Sequence, residues 1–169
     1  ANSAFAQQLG HQARRVPNMT LRVLESGTSK KAPSLLPIYR LVGTKPIVIL
    51  YWKPKDQKSE TEIRALQALQ GLPAYKGKVH FLTAVKAAKP AEEKAAIARA
   101  RELKVPFRVV LDKNQIAPYI EAFWQFPRYG LIDKKGMVRV WHCASLGETV
   151  GPGFTFMSAL KLAIAGKPV

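Results

Sequence analysis

The sequence predicts an α/β domain, a central mixed β-sheet flanked by helices and preceded by a hairpin extension. Three observations carry that expectation. Ile47-Val48-Ile49-Leu50-Tyr51-Trp52 is an unbroken apolar run rich in β-branched residues, the pattern of a strand buried on both faces. Helical and strand-like stretches alternate after it, as a layered α/β sheet requires. Late in the chain, two strand-like stretches flank Asp133-Lys134-Lys135-Gly136, a composition that closes an antiparallel hairpin.

Residues 1–16 read as an N-terminal arm and residues 17–169 as a single domain, with no internal repeat and no linker. Within the basic stretch 7–34, Thr20–Leu24 is strand-like and Pro17, Gly27 and Pro33 punctuate it, which suits a short hairpin. Lys45-Pro46 leads into the apolar run. Ile63, Leu66 and Leu69, with Ala65 and Ala68 beside them, then recur at helical period up to Gly71-Leu72-Pro73. Val79–Val85 forms a second strand. Pro90-Ala91-Glu92-Glu93 opens a helix with proline and acids in its first turn, and Arg99, Arg101 and Lys104 close it. Both ends suit the helix dipole. Val105–Leu111 returns to strand, interrupted by Pro106, and Ile116–Phe123 reads as a short helix. Tyr129–Ile132 and Met137–His142 are the hairpin strands, and Phe154–Ala165 is an amphipathic last helix ended by Gly166.

Composition narrows the function classes. Of 169 residues, 27 are Lys or Arg and 11 are Asp or Glu, a net charge of +16. One cysteine excludes a disulfide scaffold and any internal dithiol pair. With three histidines besides, a multi-cysteine zinc site is excluded, and neither metal nor cofactor is expected. No apolar run approaches the roughly 20 residues of a membrane span. The basic residues fall in small groups such as Lys53, Lys55 and Lys58, without the block of like charge that marks a tail. A solvated cationic surface is the plain reading; attraction to nucleic acid, anionic lipid or an acidic protein is the functional one. No zinc finger, aromatic RNA-binding pattern or helix-turn-helix supports nucleic acid. Ala4-Phe5-Ala6 has the small-x-small form of a signal-peptidase site, which suits either an exported chain or an ordinary mature or tag-derived N-terminus.

Several stretches, in order, resemble the thioredoxin-like, extracytoplasmic thiol–disulfide oxidoreductases of the TlpA/ResA type. Pro17-Asn18-Met19-Thr20-Leu21 resembles the family's entry into its extra hairpin. Lys45-Pro46 and the run to Trp52 resemble the strand that leads to its active site. Glu62-Ile63-Arg64-Ala65-Leu66-Gln67-Ala68-Leu69 matches its first helix at the Glu and Leu positions. Val105-Pro106-Phe107, Leu111-Asp112 and Phe126-Pro127-Arg128-Tyr129-Gly130-Leu131-Ile132-Asp133 resemble its later landmarks. The resemblance covers roughly residues 17–165. It implies a thioredoxin-like fold, a periplasmic or otherwise extracytoplasmic location, and a cis-proline at Pro127 beside the active-site loop.

The chain departs from the family where the chemistry should be. Counted from Trp52, the two redox cysteines fall on Asp56 and Ser59. Thiol–disulfide exchange needs one thiolate to attack and a second thiol to resolve, and neither residue can serve. Ser59-x-x-Glu62 has the form of a capping box for the helix that follows. Pro54-Lys55-Asp56 also resembles a peroxiredoxin loop, but that register places Thr61 at the peroxidatic position. A copper-chaperone relative would need paired cysteines, which are absent.

The expectation is a protein without dithiol chemistry that acts by binding rather than as an enzyme. Its surface would be the former active site: Trp52, Lys53, Lys55, Asp56, Lys58, Phe126 and Pro127, cations around an aromatic floor. The expected partner is a protein or peptide, acidic in character, or an anionic envelope surface. Phe126 equally suits packing against Trp52 or Trp124. Two alternatives stand beside this reading, an atypical single-thiol activity at Cys143 and nonspecific nucleic-acid binding. His142 and Cys143 are neighbours on a strand and point to opposite faces, which argues against a dyad. A buried, inert Cys143, a structural His80, and salt bridging of Asp56, Glu60 and Glu62 by the nearby lysines complete the expectations.

Overall fold

The computed structural model describes residues 15, 16, 18, 20–25, 35–87, 89–111 and 126–169. Seven strands form the main sheet: β1 (Thr20–Glu25), β2 (Leu35–Pro37), β3 (Ile47–Tyr51), β4 (His80–Val85), β5 (Arg108–Leu111), β6 (Arg128–Ile132) and β7 (Val138–Cys143). They lie in the order β2-β1-β5-β4-β3-β6-β7. A separate pair is made by β8 (Thr149–Gly151) and β9 (Phe154–Thr155). The described helices are α1 (Gln57–Gly71), α2 (Pro90–Glu102) and α3 (Phe156–Ala165).

The sheet is mixed because β3 pairs in parallel with β4 and antiparallel with β6. Its five side chains are each at most 2 % exposed, and burying residues of this kind contributes roughly 1.5–3 kcal/mol apiece. Alternation along β3 divides the core. Val48, Leu50 and Trp52 join a cluster with Ile63 and Leu66 of α1, Ala96 and Ala100 of α2, and Phe156 and Leu160 of α3. Ile47, Ile49 and Tyr51 pack on the other face with Leu36 of β2 and with Ile38 and Leu41 of the 3-10 turn Ile38–Arg40 and its end. The helix expected over Ile116–Phe123 lies outside the described residues.

Local chemistry sets most element ends. Asp133 shapes the β6–β7 turn, its carboxylate accepting from the N–H groups of Lys135 (2.8 Å) and Met137 (2.9 Å) and from Arg139 Nε (2.7 Å). Gly136 takes φ +81°, and a Cβ there would stand 3.0 Å from Val42 Cγ1. The arm's last residues pack against this turn: Val16 N–H bonds Gly136 O at 2.7 Å and Arg15 bridges to Met137.

Most strand ends shift by one residue from the sequence expectation, and two boundaries move further for local chemical reasons. The strand anticipated over Val105–Leu111 starts at Arg108, since Pro106 has no N–H to offer a ladder. The last helix begins at Phe156, two residues late. Phe154 is instead drawn into the β8–β9 pair, and Thr155 caps the helix by accepting from Ser158 N–H at 3.2 Å. Gly166, left-handed at φ +70°, ends it as expected.

Candidate functional site

The carboxyl ends of β3 and β4 and the start of β6 converge at the N-terminus of α1. The loop between β3 and α1 is tied down almost atom by atom. Lys53 N–H donates to Ser59 Oγ at 3.1 Å, and Ser59 N–H to Asp56 Oδ2 at 2.8 Å. Lys55, at φ +63°, donates its N–H to Glu60 Oε1 at 2.9 Å. The expected capping box is therefore displaced. Asp56 is the N-cap, and Ser59, fully buried, turns its hydroxyl back to the loop. The reason is geometric: an N-cap must precede the first helical residue, and Ser59 already lies inside the first turn.

Beside this loop is a cleft of about 630 Å³. Lys53, Asp56 and Lys58 line it from the loop and the first turn of α1, and Phe126 and Pro127 from the segment before β6. The Phe126–Pro127 peptide is cis. Lys86, Arg128 and Ala144 complete the lining. Sequence reasoning passed over these three. Lys86 carried a usable signal, since it follows the carboxyl end of a buried strand, where open α/β sheets place their ligands.

Two residues expected on this surface are not part of the lining. Trp52 is fully buried. Alternation along β3 sends its ring into the core with Val48 and Leu50, so it cannot form an exposed aromatic floor. Lys55 is exposed and is not among the residues that line the cleft. Phe126 packs against the face that holds Tyr51, opposite the cluster of Trp52.

The acids around the site also find other partners than the neighbouring lysines. Arg99 of α2 grips Glu60 through two bonds of 2.7 Å, and this hydrogen bonding holds the Glu60 carboxyl below the usual carboxylate range. Glu62 accepts from the Tyr129 hydroxyl at 2.9 Å. Asp56 is committed to the helix end. Among the described residues, no group of three His, Cys, Asp or Glu side chains is placed to hold a metal ion.

Cys143 lies beneath this region, buried and unpaired. Its thiol donates to Ser145 O at 2.8 Å. Burial, with the Glu148 carboxylate nearby, pushes its pKa up to about 12. A reactive thiol needs the reverse environment, electropositive and accessible. His80 sits far from the cleft, at the start of β4.

The sequence matches no protein-family model and no curated protein. Solved structures do match. A secreted Mycobacterium tuberculosis disulfide oxidoreductase homologous to E. coli DsbE aligns at TM-score 0.58 and 17 % identity, over 88 % of this chain and 96 % of that one. DsbF of the same organism aligns at TM-score 0.62 and 16 % identity, over 91 % and 97 %. The thioredoxin domain of a Bacteroides vulgatus thiol–disulfide oxidoreductase aligns at TM-score 0.58 and 13 % identity, over 79 % and 89 %. The fold is thioredoxin-like. In this thioredoxin-like frame, Asp56 caps α1 and Ser59 lies one turn in. The single thiol of the chain is buried on β7.

Proposed function

We propose that this thioredoxin-like protein is an extracytoplasmic binding protein without dithiol chemistry. It takes an acidic segment of a protein or peptide partner into the cleft beside α1. The observation that carries the reading is the charge of the lining: among the described residues, Lys53 and Lys58 stand with one carboxylate, Asp56, which already accepts from Ser59 N–H. Acids elsewhere are likewise spent inside the fold: Glu60 on Arg99, Glu93 on Arg22, Asp133 on Arg139, Glu148 on Ala144 N–H. Lys53 and Lys58 are exposed, and in a chain of net charge +16 they attract anionic partners. Phe126, Pro127 and Ala144 supply apolar surface for the segment's backbone and aliphatic carbons. The secreted relative in fold supports the location. The buried, high-pKa Cys143 supports no single-thiol activity.

The test pairs a fluorescent Asp/Glu-rich peptide with the wild type and with the double variant K53E/K58E. Saturable binding that weakens about tenfold or more on charge reversal, with no dithiol-dependent insulin reduction, supports the proposal. Insulin turnover above background sinks it. So does a single-stranded oligonucleotide that binds more tightly than the peptide with a steep salt dependence.

A further inference from the structure

The edge of the sheet opposite the cleft carries a row of cations. β3, β4 and β5 are parallel, with Ile47 level with His80 and Leu82 level with Arg108, so their amino ends stand side by side there. Antiparallel β6 brings its carboxyl end to the same edge, Ile132 level with Ile47, and Gly43 N–H bonds Lys134 O at 2.8 Å. Each strand thereby sets basic residues on this edge: Lys135 after β6, Lys45 before β3, Lys76 and Lys78 before β4, and Lys104 before β5 with Arg108 at its start. Neighbouring strands lie about 4.8 Å apart, inside the Debye length of about 8 Å at physiological salt, so the fields of these charges add. Burial, then the charges of Lys45 and Arg108, lower the pKa of His80, which starts the strand between them.

Lys76, Lys78, Lys104 and Lys135 are exposed, and none of them ion-pairs with a described carboxylate. Among the described side chains, the carboxylates near this edge are Asp133 and Glu102, held by Arg139 at 2.7 Å and by Arg99 at 2.6 Å. α1, α2 and α3 also end here, and cations offset the dipoles of helices. Lys134 Nζ, for example, donates to Ile164 O in the last turn of α3 at 2.7 Å. A helix end carries only about half an elementary charge, so three of them balance fewer than two of the cations. The surplus faces solvent.

Beside Lys76 the row holds an apolar tip. Leu72, at the end of α1, is 50 % exposed, and Pro73 and Ala74 after it are exposed too. Lys76 N–H turns back to Leu72 O at 2.8 Å, which keeps the tip next to the lysines. The rings of Tyr75, Phe81 and Phe107 nearby are buried, so they give nucleic-acid bases no platform for stacking. Exposed cations around one protruding apolar residue fit a bilayer surface, with anionic headgroups outermost and hydrocarbon beneath.

We propose that this edge docks on an anionic phospholipid bilayer, its lysines on the headgroup phosphates and Leu72 entering the boundary of the acyl chains. The cleft, at the carboxyl ends of the same strands, then faces away from the membrane and stays open.

The experiment measures partition of the full chain onto vesicles by co-sedimentation, comparing equimolar phosphatidylglycerol and phosphatidylcholine with phosphatidylcholine alone. Expected are saturable binding to the mixed vesicles, release at high salt, and little binding to the neutral ones. K76E/K78E weakens partition about tenfold or more, the scale of two lysines at an anionic surface. K53E/K58E makes the same change in net charge at the cleft and weakens it less. L72S weakens it about threefold or more, through lost apolar contact. No binding to the mixed vesicles, or equal binding to neutral ones, overturns the surface. Equal losses in the two folded double variants overturn its placement at this edge, and an unchanged L72S overturns the apolar contact. A single-stranded oligonucleotide that binds the wild type more tightly than the mixed vesicles do overturns the membrane as the partner.

Discussion

The Tyr129 hydroxyl donates to the Glu62 carboxylate at 2.9 Å and lies 3.2 Å from the Glu62 carbonyl. The contact ties β6 to α1 beneath the candidate cleft. The Tyr129 ring is 1 % exposed and stacks at a tilt on Phe156, 5.2 Å between centroids. Removing the hydroxyl leaves Glu62 short of a donor in a half-buried place. Y129F is expected to lower stability by about 1.5–3 kcal/mol, the range for hydrogen bonds to charged groups. Urea denaturation with an unchanged midpoint would refute the link.

Asp56 gives opposite signs in two assays. D56A removes the cap of α1 and should cost about 0.5–2 kcal/mol of stability. The same change deletes the one carboxylate among the described residues that line the cleft, so an acidic peptide should bind more tightly. Thermal melting and fluorescence anisotropy on one preparation check both signs. Loss of stability together with loss of affinity would show that the loop, rather than the charge, governs binding.

Acid should weaken the α1–α2 contact. Hydrogen bonding to Arg99, then to Lys55 N–H, lowers the folded-state pKa of Glu60 from its ordinary 4.5. In the window between the two values the unfolded chain binds more protons than the folded one, so stability rises with pH there. It is present above 4.5 and is lost as pH falls through the folded value. Denaturation midpoints at descending pH should fall less steeply in E60Q than in the wild type. Parallel curves would remove Glu60 as a source of the acid dependence.

Alkali should act in the other direction through Cys143. Its ordinary value of 9.0 is raised to about 12 by burial and Glu148, so the folded chain keeps a proton that the unfolded chain releases. Stability is then lost as pH rises from 9 towards 12. Burial likewise raises Tyr129 above its ordinary 10.0, which adds to the loss at the upper end. At neutral pH a thiol reagent should label Cys143 only after denaturant is added. Rapid labelling of the native protein would restore the single-thiol alternative.

The β3 run, the Asp133–Gly136 turn and the proline-led start of α2 were readable from local pattern, because each depends on residues a few positions apart. The cleft was legible only in part. Its loop lysines and Pro127 came from resemblance, whereas Lys86 and Ala144 reach it through the pairing of strands far apart in the chain. Glu60 was assigned to nearby lysines, but Arg99, thirty-nine residues away, holds it. Helix-to-helix packing decides such a partner, and a one-dimensional spacing cannot express it.

The lack of a second cysteine settles, before any folding, that no internal dithiol can form; covalent composition is independent of conformation. The unbroken apolar run of β3 likewise dictates a strand with two buried faces, since successive side chains point to opposite sides. Tertiary structure decided which of the conspicuous residues line the cleft. Trp52 goes inward because its face of the sheet is covered by α1. Lys53, Lys58, Lys86 and Arg128 gather because parallel and antiparallel registers bring β4 and β6 to either side of β3. Charge is counted in sequence, but a binding surface exists only where the register of the sheet concentrates it.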